Sequence, residues 1–316
     1  MKIYRNTTEA GAIDNPIVTA GTFDGVHLGH KKIITRLKET AQKNKGETVV
    51  LTFDPHPRLV LFPDKTNLKL LNTLEEKTEL LEQAGIQHLI IQPFTKDFAN
   101  LSSSEFIKTI LVENIKTQKL VIGYNHHFGK NREGSFEHLK KYGPVHGFDV
   151  EEIPAQDVDD IEVSSTRIRT ALQQGEIKTA NNYLGYNYFI TGIVVKGKQL
   201  GKTIGCPTAN IEVQDECKLI PDDGIYVVTV DYNGENYKGM MSIGMNPTVN
   251  GTKRTIEVNI FDFEKDIYGA ALRVYFFEKI RDEAKFESVD VLKERLLLDK
   301  QESLRIFEKL KMQKTE

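Results

Sequence analysis

The 316-residue chain changes texture near Gly185, and that change limits its possible folds more than any single motif does. Upstream, apolar runs of strand length alternate with segments of helical period. Residues 16–20, 48–53, 88–91, 120–123 and 148–153 are apolar and β-branched, and read as buried strands. After the first of them, residues 31–43 place Ile33, Leu37 and Ala41 at four-residue steps, the apolar face of a helix. Thr73 with Glu76, and Ser102 with Glu105, are capping boxes that open two further helices, the first closed by Gly85. Pro55 and Pro57 are expected to stop regular structure after the second strand. Residues 165–174 and 176–184 read as two short closing helices. Strands separated by helices of this length predict a parallel sheet covered on both faces.

Downstream, residues 188–195, 224–232, 237–243, 255–263 and 272–277 are strand-like, with no helix among them. Asn233-Gly234 between two of these is a hairpin turn signal. Only residues 289–311, with Leu292, Leu296 and Leu304, read as a helix again. This predicts a small antiparallel β-barrel with a terminal helix. The expected division is 1–185 and 186–316, and the chain length suits two domains.

Composition narrows the setting. A formal net charge of −3 gives no long-range attraction to nucleic acid or an anionic membrane. The two cysteines, Cys206 and Cys217, form no CxxC pattern, which fits a reducing compartment. No stretch approaches the ~20 apolar residues of a membrane span, and the first residues lack the apolar core of a signal peptide. A cytoplasmic protein is expected, without nucleic-acid or membrane partners; a weak homo-oligomer stays open. All eight histidines lie at or before His146, so any histidine chemistry belongs to the first half.

That chemistry centres on residues 21–30, Gly-Thr-Phe-Asp-Gly-Val-His-Leu-Gly-His. A turn leaving a strand and opening a helix aims backbone N–H groups and a positive helix end at one spot, where an anion is stabilised. Gly21, Gly25 and Gly29 let the chain bend and a phosphate approach closely. His27 and His30, three apart, share one side of the first helical turn. Two other readings exist: zinc ligands together with His56, unsupported by an HExxH pattern or cysteine cluster, or polar surface residues. The position favours the anion site.

These residues also resemble a known family. The run Gly-Thr-Phe-Asp-Gly-Val-His27-Leu-Gly-His30 is similar to the HxGH motif of nucleotidylyltransferases, in the form used by prokaryotic bifunctional riboflavin kinase/FAD synthetases. Thr52-Phe53-Asp54-Pro55-His56-Pro57 resembles the family's strand-loop with its PHP core. Gly123-Tyr124-Asn125-His126-His127-Phe128-Gly129, with Gly134, resembles a GxNFxFG…G loop in which His126 stands where phenylalanine is commoner. Residues 163–169 resemble an ISSTxIR segment. By themselves they read equally well as a capped helix with a solvated basic face. The resemblance implies a Rossmann-like nucleotidylyltransferase domain that binds ATP through Gly21, Phe23, Gly25, Gly29, Asn125, Ser164, Thr166 and Arg167. His27 and His30 would stabilise charge as pyrophosphate leaves, while His56, His126 and Phe128 would meet the flavin.

Gly197-Lys198-Gln199-Leu200-Gly201-Lys202-Thr203 looks like a P-loop, but only three residues separate its glycines, and Gly205 and Pro207 forbid a following helix. With Cys206-Pro207-Thr208-Ala209-Asn210 it resembles instead the GxxLGxPTAN loop of riboflavin kinases. The family usually has phenylalanine at Cys206, here expected to be buried and inert, and often arginine at Lys202. The resemblance implies that Thr208 and Asn210 ligate Mg²⁺, with Gly197, Lys202 and Thr208 around ATP. Strand alternation alone makes Glu257 an exposed carboxylate, whereas the resemblance makes it the kinase's general base. Pro247-Thr248, residues 266–269 and residues 280–286 match further kinase motifs, the last placing Arg281 and Phe286 near the flavin.

The expected activity is phosphorylation of riboflavin to FMN and adenylylation of FMN to FAD, with ATP consumed, Mg²⁺ as cofactor, and ADP and pyrophosphate released. A nucleotidylyltransferase of another acceptor would leave the barrel unexplained, and an RNA-binding flavin sensor sits badly with the net charge. A class I aminoacyl-tRNA synthetase shares a histidine-glycine-histidine turn, but no KMSKS-like loop is present.

Overall fold

Residues Pro16–Ala20 are buried at all five positions, as a strand covered on both faces must be. The structure, a computed structural model, describes residues 1–11, 13–64, 67–123, 127–153, 163–197, 201, 205–248 and 251–313, with side chains except at 246–248, 251–253 and 313. Packing divides it into two units, Met1–Ser165 and Thr166–Glu316.

The first unit carries strands β1 (Lys2–Tyr4), β2 (Pro16–Ala20), β3 (Glu47–Asp54), β4 (His88–Pro93), β5 (Lys119–Gly123) and β6 (Asp149–Ile153). Its helices are α1 (Leu28–Lys43), α2 (Pro57–Leu61), α3 (Leu74–Gln83), α4 (Lys96–Ala99), α5 (Ser103–Glu105) and α6 (Phe136–Tyr142), with a π-helical stretch, Phe106–Asn114, directly after α5. All six strands run parallel in the order β1-β4-β3-β2-β5-β6. Growth goes one way from β2 through β3 and β4, and the other way through β5 and β6.

Successive strand residues feed opposite layers, which is how a period of two covers both faces. Val18, Val49, Leu51, Leu120 and Ile122 pack on Phe106, Ile107, Ile110 and Leu111. Ile17, Val50, Leu89 and Val121 pack on Ile34, Leu37, Ala41 and Leu81. Both expected capping boxes are present, Thr73 with Glu76 and Ser102 with Glu105. Two local expectations change. The helix expected from Lys31 starts at Leu28, and Pro57 does not end regular structure but opens α2, where a missing N–H costs nothing. The short, exposed edge strand β1 carries no periodic signal.

The second unit begins with α7 (Ser165–Gln173), whose first residue belongs to the first unit, and α8 (Ile177–Leu184). Both helices are tied to later segments of this unit. Asp222 N donates to Leu172 O at 3.0 Å, and Asn181 bridges Tyr188 N (2.7 Å) and Phe276 O (2.8 Å). Strands β7 (Phe189–Val195), β8 (Ala209–Glu212), β9 (Gly224–Tyr232), β10 (Glu235–Thr248), β11 (Gly251–Ile260) and β12 (Ala271–Arg281) close an antiparallel barrel in the order β10-β11-β8-β7-β12-β9. Asn233-Gly234 makes the β9–β10 hairpin as expected, pairing Tyr232 with Glu235. The expected strands did not include β8, whose four residues come after a glycine-proline loop. The terminal helix α9 (Val289–Gln313) packs Ile306 and Phe307 on Val227.

Thr73→Ala removes the hydroxyl that accepts from Glu76 N and should cost the first unit about 1 kcal/mol. Hydrogen exchange of the α3 amides measures it; unchanged protection would show the cap to be idle.

Candidate active sites

The turn after β2 is wound tightly. Gly21 N extends the ladder to Leu51 O at 3.0 Å, after which Phe23 (φ +48°), Gly25 (φ +90°) and Val26 (φ +37°) enter the left-handed region. For phenylalanine and β-branched valine that geometry costs on the order of 1–3 kcal/mol each. Surrounding contacts offset it. The Phe23 and Val26 side chains are buried. Asp24 Oδ1 accepts from Leu71 N (2.9 Å) and Asn72 N (3.4 Å). Ser165 Oγ donates to Asp24 O at 2.9 Å, and Lys77 Nζ donates to Thr22 O at 3.2 Å.

The turn delivers His27 to the N-cap of α1, where its Nδ1 accepts from His30 N at 3.4 Å. A neutral imidazole accepting at Nδ1 carries its proton on Nε2 and can donate there. The His27 and His30 rings stack with centroids 3.7 Å apart, and Phe23 lies 5.0 Å from His30. His30 Nδ1 is buried without a hydrogen-bond partner among the described residues. Burial, then the His27 and Lys77 charges, hold its pKa well below 6.5, so it is neutral at pH 7. Gly29 is buried beside it in the first turn of α1. The turn that carries the pair leaves the carboxyl end of β2, which neighbours β5 where the sheet's two directions of growth part and ligands of such sheets bind.

Of the other expected residues, His56 caps α2, its Nδ1 accepting from Arg58 N at 3.2 Å. Phe128 is a core residue: its ring lies 5.3 Å from Phe106 and pairs so closely with Gly134 that a Cβ there would stand 2.6 Å away. In that packing it helps hold its loop in place. Asn125 and His126 lie outside the described residues. At the start of α7 the hydroxyl bonded to the turn is that of Ser165, between the expected Ser164 and Thr166; Arg167 follows in the same helix. Sequence reasoning missed the supports Asp24 and Lys77, and also Leu61 and Phe62, which are half exposed after the PHP run. The apolar run Leu59-Val60-Leu61-Phe62 between Pro57 and Pro63 was a signal available in the sequence.

In the second unit, Thr208, Asn210 and Glu257 come together. Asn210 on β8 pairs with Glu257 on β11, and Thr208 Oγ1 donates to Glu257 Oε2 at 3.0 Å. Glu257 is therefore partly buried and hydrogen-bonded rather than an open surface carboxylate. Gly197 is required by contact, since a Cβ there would stand 2.1 Å from the Asn210 amide. At Gly201 it would meet Cys206 O at 2.3 Å and Thr208 Oγ1 at 3.2 Å. Cys206 is partly exposed rather than buried as expected, and its backbone N–H donates to Gly201 O at 2.9 Å. Lys202 lies outside the described residues. Beside Thr208 opens a cleft of about 400 Å³ walled by Val194, Val258, Ile260, Phe263 and Tyr268. Arg281 is held by the fully buried Asp299 of α9, with contacts of 2.7–3.1 Å, and Phe286 covers its guanidinium at 5.6 Å.

A family model described as FAD synthetase matches residues 11–167, and one described as riboflavin kinase matches residues 184–307. Bifunctional riboflavin kinase/FMN adenylyltransferase from Bacillus subtilis is 38% identical over 300 residues, 93% of each chain. The Escherichia coli K12 protein of that name is 35% identical over 90% of each. The chain belongs to the bifunctional riboflavin kinase/FMN adenylyltransferase family. The His27–His30 turn falls inside the FAD synthetase match, and the Thr208–Asn210–Glu257 group inside the riboflavin kinase match. A solved Streptococcus pneumoniae structure, which bears the name macrolide-efflux protein, shares this family member's fold with a TM-score of 0.85 and 34% identity. It covers 95% of this chain and 97% of its own. Among the described residues no helix is long and apolar enough to cross a membrane.

The depressed His30 pKa has a consequence for stability. Between that value and 6.5 the unfolded chain binds a proton that the folded site refuses, so the free energy of unfolding falls as pH drops below 6.5. Acid unfolding of the first unit should become shallower in His30→Asn, and an unchanged slope would contradict a neutral, desolvated His30.

Proposed function

We infer that this protein makes FAD from riboflavin in two ATP-consuming steps, one in each unit. The observation that carries this reading is the presence, in one chain, of both family segments, each containing one of the two residue groups. Riboflavin is phosphorylated to FMN, releasing ADP, and FMN is adenylylated to FAD, releasing pyrophosphate. We place the functional boundary between residues 185 and 186, which the left-handed Gly185 after α8 and the start of the riboflavin kinase match at residue 184 support. The cytoplasm, where ATP is made available, is the proposed location.

In the kinase step Glu257 is the proposed general base. The Thr208 hydroxyl orients one carboxylate oxygen, and the other takes the proton of the ribityl 5′-hydroxyl as that oxygen attacks the γ-phosphorus. The cleft beside Thr208, which Glu264, Lys265 and Asp266 line along with its apolar walls, would seat the adenine, with Gly197, Gly201 and Lys202 around the phosphates. Among the described residues no three His, Cys, Asp or Glu side chains are grouped to hold a metal. A hydroxyl, an amide oxygen and ATP phosphates are, however, the hard donors magnesium takes, so Thr208 and Asn210 fit Mg²⁺. Bound there, the ion neutralises charge on the β- and γ-phosphates. Arg281 and Phe286 would border the flavin from the segment that Asp299 anchors.

In the second step a phosphate oxygen of FMN attacks the α-phosphorus of another ATP, and pyrophosphate departs. The attacking group is already ionised, so no protein nucleophile is needed, and positioning with charge stabilisation carries the reaction. His27, His30, Gly21, Phe23, Gly25 and Gly29 form the proposed phosphate cradle, with Ser164, Thr166, Arg167 and Asn125 as further donors. His56, with the apolar Leu61 and Phe62 after it, offers the acceptor side.

His30→Ala should lower FAD formation from supplied FMN by roughly 10²–10³ and spare FMN formation from riboflavin. Both activities falling together in a folded variant would sink the assignment of one step per unit. Glu257→Gln should do the converse, abolishing most riboflavin phosphorylation while supplied FMN is still adenylylated. Chromatographic separation of the three flavins reads both, and a fully active Glu257→Gln kinase would remove Glu257 as base.

A further inference from the structure

Lys77 is a buried charge that the proposed chemistry leaves unused. It lies on the inner side of α3, 9% exposed, and its ammonium sits in a triangle with two oxygens of the first unit. Nζ donates to Thr22 O at 3.2 Å and to Thr52 Oγ1 at 3.4 Å, while Thr52 Oγ1 donates to the same carbonyl at 3.2 Å. Thr52 is fully buried on β3. A lysine ordinarily meets a large desolvation cost at such a place, and burial does lower its pKa, against the raising effect of Asp24 and Asp54. A hydrophobic residue would fill the space without that cost, so the charge is retained for what it touches.

What it touches is the peptide that begins the left-handed turn. In a trans peptide the carbonyl and the following N–H point in opposite directions. Drawing Thr22 O inward to Lys77 and Thr52 therefore fixes the outward direction of the Phe23 N–H, which has no acceptor among the described residues. Phe23 is the first residue at positive φ, and its ring lies against His30. One contact thus sets both a backbone donor and an aromatic support of the histidine pair. The same ammonium bears electrostatically on His30.

We propose that Lys77 is a positioning residue for adenylyl transfer, clamping the Thr22 carbonyl to Thr52 so that the Phe23 amide and His30 are held where the ATP α-phosphate reacts. This rests on the assignment of adenylyl transfer to the turn at residues 21–30. Misplacing a site by about 1 Å costs on the order of 10² in rate, so the effect of losing the clamp should be of that order.

The test uses the full chain with Lys77→Met, close in volume, and Thr52→Val, which removes only the hydroxyl. FAD formation from FMN and ATP should lose about 10² in kcat in Lys77→Met, more than KM for ATP rises, and several-fold in Thr52→Val. Riboflavin phosphorylation should be unchanged in both. By NMR, the His30 imidazole should titrate at higher pH in Lys77→Met, because a neighbouring positive charge is gone. Wild-type kcat for FAD formation in Lys77→Met, or an unmoved His30 titration, overturns the proposal. Should Lys77→Met fail to fold, Thr52→Val decides: a lowered kcat supports the clamp and a wild-type kcat refutes it. If the wild-type protein itself makes no FAD, the function assigned to the turn fails, a result distinct from an active wild type with an equally active Lys77→Met.

Discussion

A parallel sheet that grows in both directions from one inner strand leaves a crevice where the directions part. Here that point lies between β2 and β5, and the turn that leaves β2 carries the histidine pair. The chain leaving β2 must turn at once into α1, and it does so with two non-glycine residues at positive φ. Such a turn persists only if buried groups over-determine it. Asp24 caps two backbone amides, Ser165 holds the Asp24 carbonyl, and Lys77 and Thr52 hold the Thr22 carbonyl. Strain absorbed there delivers two stacked imidazoles to the N-terminus of α1, where partial positive charge from the helix already favours a phosphate.

The second unit reaches a comparable end by different means. Barrel closure sets the register between β8 and β11, and that register puts Asn210 opposite Glu257. Thr208, one residue before β8, then bonds the carboxylate. The glycine at 197 is explained by the Asn210 amide, which occupies the volume a side chain would need. Oxygen donors and a single carboxylate suit phosphoryl transfer with a hard cation, whereas the imidazoles and backbone amides of the first unit suit the proposed binding of an anion.

Much of this was legible in the sequence because it rests on local periodicity. The strands other than β1 and β8, the two capping boxes and the Asn233-Gly234 hairpin all declare themselves within about ten residues. What escaped depends on contacts between distant segments. Strand β8 has only Ile211 buried, so no apolar run marks it, and it exists because β7 and β11 pair with it. Lys77 sits on a helix like any surface lysine until the fold brings Thr22 and Thr52 to it. Asp299 looks like one more charge on α9, yet it is fully buried and holds both Arg281 and Arg295. Cys206, expected to be buried, is partly exposed, which its apolar neighbours in the sequence did not show. The family resemblance is shared by both halves of the chain, while burial appears only once the segments pack.

The central claim is that one chain carries out two successive transfers. Its most direct test is a time course of the purified protein with riboflavin, excess ATP and Mg²⁺, the flavins being separated at each point. FMN should rise first and then fall as FAD accumulates, with one ADP released for each riboflavin consumed and one pyrophosphate for each FAD formed. FMN that accumulates without any FAD, or riboflavin that stays unphosphorylated while added FMN is also left unchanged, would contradict the account.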